Sequence, residues 1–160
     1  MRFFSAMAML ISFGLLVPGC QVETEQPVER CPEFVHDFHS ADSIRILPLS
    51  EFVETVGNGN GVQLKVIVSA MDRFDCQKKV PGVFRFELYR KVPRAAEQKG
   101  QRVKLWQDID LRNAEANNQY WQDFLRAYEF RLDYDPQPNV DYVLQVTCMC
   151  PGNQRLSDEY

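Results

Sequence analysis

The chain has 160 residues, 45% hydrophobic and 25% charged, with a formal net charge of −4. That length suits one domain able to bury a core of its own. The acidic balance excludes the basic footprint that nucleic-acid binding requires, so no nucleic-acid partner is expected.

In chain order, the first segment is MRFFSAMAMLISFGLLVPG, residues 1–19. Arg2 precedes an apolar run of 15 residues from Phe3 to Val17, short of the roughly 20 that span a bilayer as a helix. A charged start, a short apolar segment and a small residue before a break predict a secretory signal peptide. Val17-Pro18-Gly19-Cys20 resembles the lipobox of bacterial lipoprotein precursors. An aliphatic residue stands three before the cysteine and a small one directly before it, while Pro18 occupies a position where a small or aliphatic residue is usual. The resemblance covers the first twenty residues alone. It implies cleavage before Cys20, acylation of Cys20 with chains such as palmitate, and export to a membrane of the cell envelope.

Residues 20–30 then read as the lipidated cysteine and a flexible acidic tether, since QVETEQPVER has three Glu, one Pro and only two Val and cannot bury enough to order itself. The folded domain is expected over residues 31–160. Without residues 1–19 the chain carries 17 basic and 22 acidic residues, a net charge of −5. Anionic lipid heads would not attract such a domain, so the anchor must come from the acyl chains.

Ile44–Leu49 is a weak strand candidate. Gly57-Asn58-Gly59-Asn60-Gly61 reads as a turn, because Asn-Gly pairs tolerate positive φ; it lacks the Lys and helix of a phosphate cradle. From Val62 a period of two takes over. Val62, Leu64, Val66, Val68 and Ala70 form one face, followed after Pro81-Gly82, which reads as a further turn, by Phe84, Phe86 and Leu88. Val103–Leu111 is a second weak strand. Asn113 can cap a helix over 113–125, where Tyr120, Trp121, Phe124 and Leu125 recur at helical spacing. Tyr128, Phe130, Leu132 and Tyr134 resume the alternation, as do Tyr142, Leu144, Val146 and Cys148 after the Asp135–Asn139 turn. Such β-branched and aromatic runs around a single helix predict a mainly β fold, a two-sheet antiparallel sandwich of immunoglobulin-like, transthyretin-like or C2-like topology.

Setting Cys20 aside leaves Cys31, Cys76, Cys148 and Cys150, an even set suited to disulfides in an oxidising compartment. Residues two apart in a strand sit near 7 Å, so bridges from Cys148 and Cys150 to Cys31 and Cys76 are expected over a direct Cys148–Cys150 bond. His36 and His39 lie close to Cys31 and are candidate transition-metal ligands if they share a helix turn. The aspartate pairs Asp72/Asp75, Asp108/Asp110 and Asp133/Asp135 would resemble the calcium loops of C2-type domains if they converged at one end of the sandwich. Trp121, in an aromatic-rich stretch, is the ring to consider for ligand binding, beside its plainer role in the core.

For nucleophilic catalysis the sequence offers no G-x-S-x-G and no activated Ser or Cys, only a His36-Asp37 pair. The expectation is a lipid-anchored envelope binding or structural module that needs no cofactor, with a protein or glycan partner. A metal-dependent envelope protein, stabilised by calcium or carrying a transition metal, is the alternative; an envelope hydrolase is a third reading.

Overall fold

A computed structural model describes residues 40–54, 61–94 and 97–160. The signal peptide, Cys20, the tether, Cys31, His36 and His39 lie outside the described residues, as does most of the glycine-rich turn. The described strands are β1 (Ser43–Ile46), β2 (Glu51–Glu54), β3 (Val62–Met71), β4 (Val83–Lys91), β5 (Lys99–Leu105) and β6 (Ile109–Asp110). Helix α1 (Ala114–Tyr120) follows, then β7 (Trp121–Gln122), β8 (Ala127–Asp133), β9 (Tyr142–Met149) and β10 (Arg155–Glu159). They form two antiparallel sheets, ordered β1-β3-β8-β7 and β10-β9-β4-β5, with β2 also on β3 and β6 also on β4. The two-sheet sandwich with one short helix is the architecture the alternating pattern predicts.

The two long inner strands share one device. Along a single edge of β3, β1 pairs with residues 68–71 and β2 with residues 62–65. Ile67, at the gap between them, donates its N–H to Ser50 Oγ at 2.9 Å and accepts from Leu47 N–H at 2.8 Å. On β4, β5 and β6 divide an edge in the same way, and Trp106 N–H reaches Phe86 O at 3.2 Å in between. The chain crossing from one short strand to the next thus satisfies Ile67 N–H, Ile67 O and Phe86 O, which the ladders skip.

Period-two patterning puts Phe84 and Phe86 of one sheet against Tyr128 and Phe130 of the other. Ring centroids are 5.4 Å apart for Phe84–Tyr128 and 4.7 Å for Phe86–Phe130, in tilted geometries. All four rings are fully buried. Tyr120 from α1 adds a fifth ring, 5.3 Å from Phe130. Along one side the sandwich is closed by β10 lying against β1, where Ile46 N–H donates to Asp158 Oδ2 at 2.7 Å and Gln154 Nε2 donates to Ala41 O at 2.9 Å. Asp158 faces inward beside Leu156, and its carboxylate satisfies an edge N–H that the sheet itself leaves free.

Helix α1 is shorter than the predicted 113–125. Asn113 caps it as expected, with Oδ1 accepting from Glu115 N–H at 2.8 Å and Ala116 N–H at 3.3 Å. It stops after two turns because Trp121 adopts extended φ/ψ and pairs with Tyr128 at the start of β8. Asn117, buried on the inner face of the helix, donates through Nδ2 to Val80 O and to Leu111 O, both at 2.9 Å. Its Oδ1 lies 3.0 Å from the Tyr128 hydroxyl, which in turn accepts from Val80 N–H at 2.7 Å.

Pro81-Gly82 is not the turn that the sequence suggests. Gly82 is buried in the run into β4, and a Cβ there would fall 2.6 Å from Cys148 Sγ. Its glycine serves close packing of β4 on β9. Strands β2, β7 and β10 escape a sequence reading because they are short edge strands with at most one buried side chain, or none.

Asn117→Ala is expected to lower unfolding free energy by about 2 kcal/mol, because it strands the buried Leu111 carbonyl, while the Tyr128 hydroxyl keeps Val80 O as acceptor at 3.2 Å. Tyr128→Phe should cost more, about 3 kcal/mol, because it orphans both the Val80 N–H and Asn117 Oδ1 in the core. Urea unfolding of both variants checks this; equal costs, or no cost for Asn117→Ala, would contradict the role assigned to the helix.

Candidate functional site

Two ends of the sandwich differ in character. At one end β3 finishes, β8 begins, β4 begins and β9 finishes; at the other β3 begins, β8 finishes, β4 finishes and β9 begins. The second end holds a cleft of about 310 Å³ between the sheets. Its floor is Leu64, Leu88 and Leu144, buried residues from the core-facing rows of β3, β4 and β9. Phe52, Tyr142 and Tyr160 wall it, Glu51 and Asp141 stand on its rim, and Ser50, itself buried, lines it from within.

The walls are held from behind. Phe52, 37% exposed, has its ring centroid 6.1 Å from both Tyr134 and Tyr142. Tyr134 and Tyr142 meet edge to face at 5.6 Å, and Trp106 adds an edge contact to Tyr134 at 6.1 Å. Gln137 N–H donates to the Tyr142 hydroxyl at 3.0 Å, and Trp106 Nε1 donates to Asp133 O at 3.0 Å. Tyr160 is fixed by paired backbone bonds with Leu144 at 2.8 and 2.9 Å, which prolong the β9–β10 ladder. Of the rim carboxylates, Glu51 is paired with Lys65 at 2.6 Å. Asp141 is solvent-exposed on the lip. A preformed apolar cleft with aromatic walls and a few polar groups at its edge has the composition of small-ligand sites.

The residues singled out from sequence fall elsewhere. Trp121 is half-buried at the opposite end, packed edge-on against Tyr128 at 5.1 Å with Lys79 Nζ 5.4 Å from its ring centroid. Its Nε1 donates to Asp123 Oδ1 at 2.8 Å. The three aspartate pairs do not converge. Asp72 and Asp75 lie in the loop after β3, whereas Asp133 ends β8 at the other end of the sandwich and Asp135 follows it. Asp72 Oδ1 accepts from Phe74 N–H and Cys76 N–H, and those two backbone bonds hold its carboxyl below the usual range. Asp108 is bidentate to Arg85 at 2.9 and 2.7 Å. Asp110 is bonded to Arg112, whose guanidinium draws its carboxyl down to about 2. Among the described residues no three His, Cys, Asp or Glu side chains gather to hold a metal ion.

Cys76 is exposed in the 72–77 loop, while Cys148 and Cys150 are buried at the end of β9. Their sulfurs lie 3.5 Å apart, closer than the backbone spacing of an extended strand suggests, because both thiols sit on the inward face and lean together beside Gly82. The hydrogen bond with Cys150, and then burial, push the Cys148 thiol far up. A direct bond between them needs closure to about 2.05 Å, so the structure makes this pair a shorter reach than the sequence spacing implied.

Neither Phe52 nor Tyr160 stands in an alternating run, so nothing in the sequence marked them as walls of one cleft. Tyr134 provides a pH readout of the aromatic wall, since burial and then its hydrogen bond with Tyr142 push its phenol up from 10.0 to about 12. Its contribution to stability is therefore present below about pH 10 and lost as pH rises toward 12. Absorbance titration of the phenolates should show Tyr134→Phe removing a late-titrating tyrosine; titration of every tyrosine near pH 10 would contradict the packing. No known protein family, curated protein or solved structure matches this chain.

Proposed function

We propose that this protein is a lipid-anchored binding module of the cell envelope, exported by its N-terminal segment, acylated at Cys20, and recognising a ligand at the cleft between its sheets. The observation that supports binding is the cleft itself: three aromatic rings from three different strands or strand ends, fixed by packing and hydrogen bonds, around a floor of buried leucines. Rigid apolar walls of this kind lose little conformational entropy on binding, which favours recognition. Flat aromatic faces beside a rim of Glu51 and Asp141 suit a ligand with an apolar ring face and hydroxyls at its edge. A glycan of the envelope has that chemistry, and about 310 Å³ fits one or two sugar rings. The support for anchoring is the run from Arg2 to Cys20 in the sequence.

Saturation-transfer NMR of the full chain against envelope glycan fragments should show contacts that Phe52→Ala weakens by about tenfold, the effect of removing one stacked ring. Binding unchanged by Phe52→Ala, or no binding by any fragment, would sink the cleft as the ligand site. The anchor is tested separately: Cys20→Ala should move the protein out of the detergent-soluble, acylated fraction or leave it uncleaved. Unchanged fractionation and mass would contradict acylation.

A further inference from the structure

Two loop tips at the end opposite the cleft expose large aromatic side chains for which the fold gives no packing reason. Phe74, in the loop after β3, is 70% exposed, and Phe124, in the turn before β8, is 82% exposed. Neither loop is loose. Asp72 Oδ1 accepts from Phe74 N–H at 2.9 Å and Cys76 N–H at 3.0 Å, and Asp75 N–H donates to Asp72 O at 3.0 Å. In the second turn Leu125 N–H donates to Gln122 O and Arg126 N–H to Asp123 O, with Arg126 at φ 49. Arg126 Nη2 then donates to Gln77 O at 3.1 Å and ties the two loops to each other. Two phenyl rings are thus displayed in water by backbone that is hydrogen-bonded and cross-linked, at a cost in solvation that a free surface would not carry.

The described chain also enters the domain at this end. Asp42 N–H donates to Met71 O at 2.8 Å, Ser43 pairs with Met71, and Lys78 Nζ lies 3.5 Å from Ser40 O. Charges here balance: Arg73, Lys78, Lys79 and Arg126 are matched by Asp42, Asp72, Asp75 and Asp123. That pattern does not fit attraction to an anionic surface. It fits shallow burial of apolar rings among lipid head groups, whose interface accommodates aromatic side chains.

We infer that this end of the domain docks on the bilayer surface, with Phe74 and Phe124 inserted at the head-group boundary and the cleft turned away from the membrane. The inference rests on the acylation of Cys20 in the proposed function. Nineteen residues lie between Cys20 and Ser40, and a chain of that length spans at most about 70 Å. Tethering within that distance gives the bilayer a high effective concentration, so two rings suffice where they would not hold a free protein.

The test uses the full chain reconstituted in phosphatidylcholine vesicles, with its mass measured to establish acylation of Cys20. Tryptophan introduced as Phe74→Trp or Phe124→Trp should shift its emission to the blue and be quenched by brominated phosphatidylcholine. Val92→Trp, at the far end, should do neither. Because Arg126 couples the loops, adding Phe124→Ser to Phe74→Trp should lower the docked-to-free ratio about tenfold, one buried ring's worth, and the quenching with it. Acylated protein whose tryptophans at 74 and 124 behave like that at 92 overturns the docking while leaving the anchor intact. Unacylated protein would refute the anchor, and the rings would then have to be quenched on vesicles unaided for docking to stand; no quenching overturns it. A blue shift that appears without vesicles and grows with protein concentration assigns the rings to a protein contact and also overturns it.

Discussion

Tyr128 is the residue through which the two sheets and the helix are held in register. Its ring packs on Phe84 of the opposite sheet, and its hydroxyl is buried against Val80 and Asn117. A buried hydroxyl costs stability unless bonded, so the position of Tyr128 in the core dictates where the strand-connecting segment at Val80 and the helix must come. Asn117 then spends both amide hydrogens on the carbonyls of Val80 and Leu111. One aromatic side chain thereby links β8, the approach to β4, the segment after β6 and α1. Polar networks of this kind define one arrangement where a purely apolar contact would tolerate several.

From that fixed point the two ends of the sandwich take different roles. Near Tyr128 the chain forms tight, hydrogen-bonded loops that carry Phe74 and Phe124 outward. At the far end the cleft lies over Leu64, Leu88 and Leu144, and the aromatic group of Phe52, Tyr134 and Tyr142 stands beside it. Apolar surface is exposed at both ends, but in different form: single rings on tips at one, a concave lining at the other. A convex tip can enter a soft interface, whereas a concave wall can enclose a ligand. The proposed ligand site and the proposed docking end rest on that division.

Charge is handled locally throughout. Arg85–Asp108, Arg102–Glu87 and Arg112–Asp110 pair within or next to one sheet, and Lys99 of β5 pairs with Glu159 of β10 across β4 and β9. Exposed pairs of this kind contribute little stability each. They do keep the acidic balance of the chain from concentrating at one place, and they spend the aspartates at 108 and 110 that an ion site would have needed.

The sequence by itself determined the class of fold and most of its core. Strands β3, β4, β8 and β9 were legible because each buries one face, and burial of one face writes a period of two into the residues. Asn113 was legible as a cap because capping is a local bond between a side chain and the next turn. Only the tertiary structure decided the rest. Edge strands β2, β7 and β10 bury too little to leave a pattern. Gly82 looks like half of a turn until Cys148 is seen to occupy the space a Cβ would need. Asn117 reads as a poor helix residue until its partners 6, 11 and 37 residues away are in place. The cleft and the paired tips likewise join residues far apart in the chain, Phe52 with Tyr142 and Phe74 with Phe124. Periodicity records which side of a strand is buried, but not which distant strand lies opposite, and a site is made of the latter.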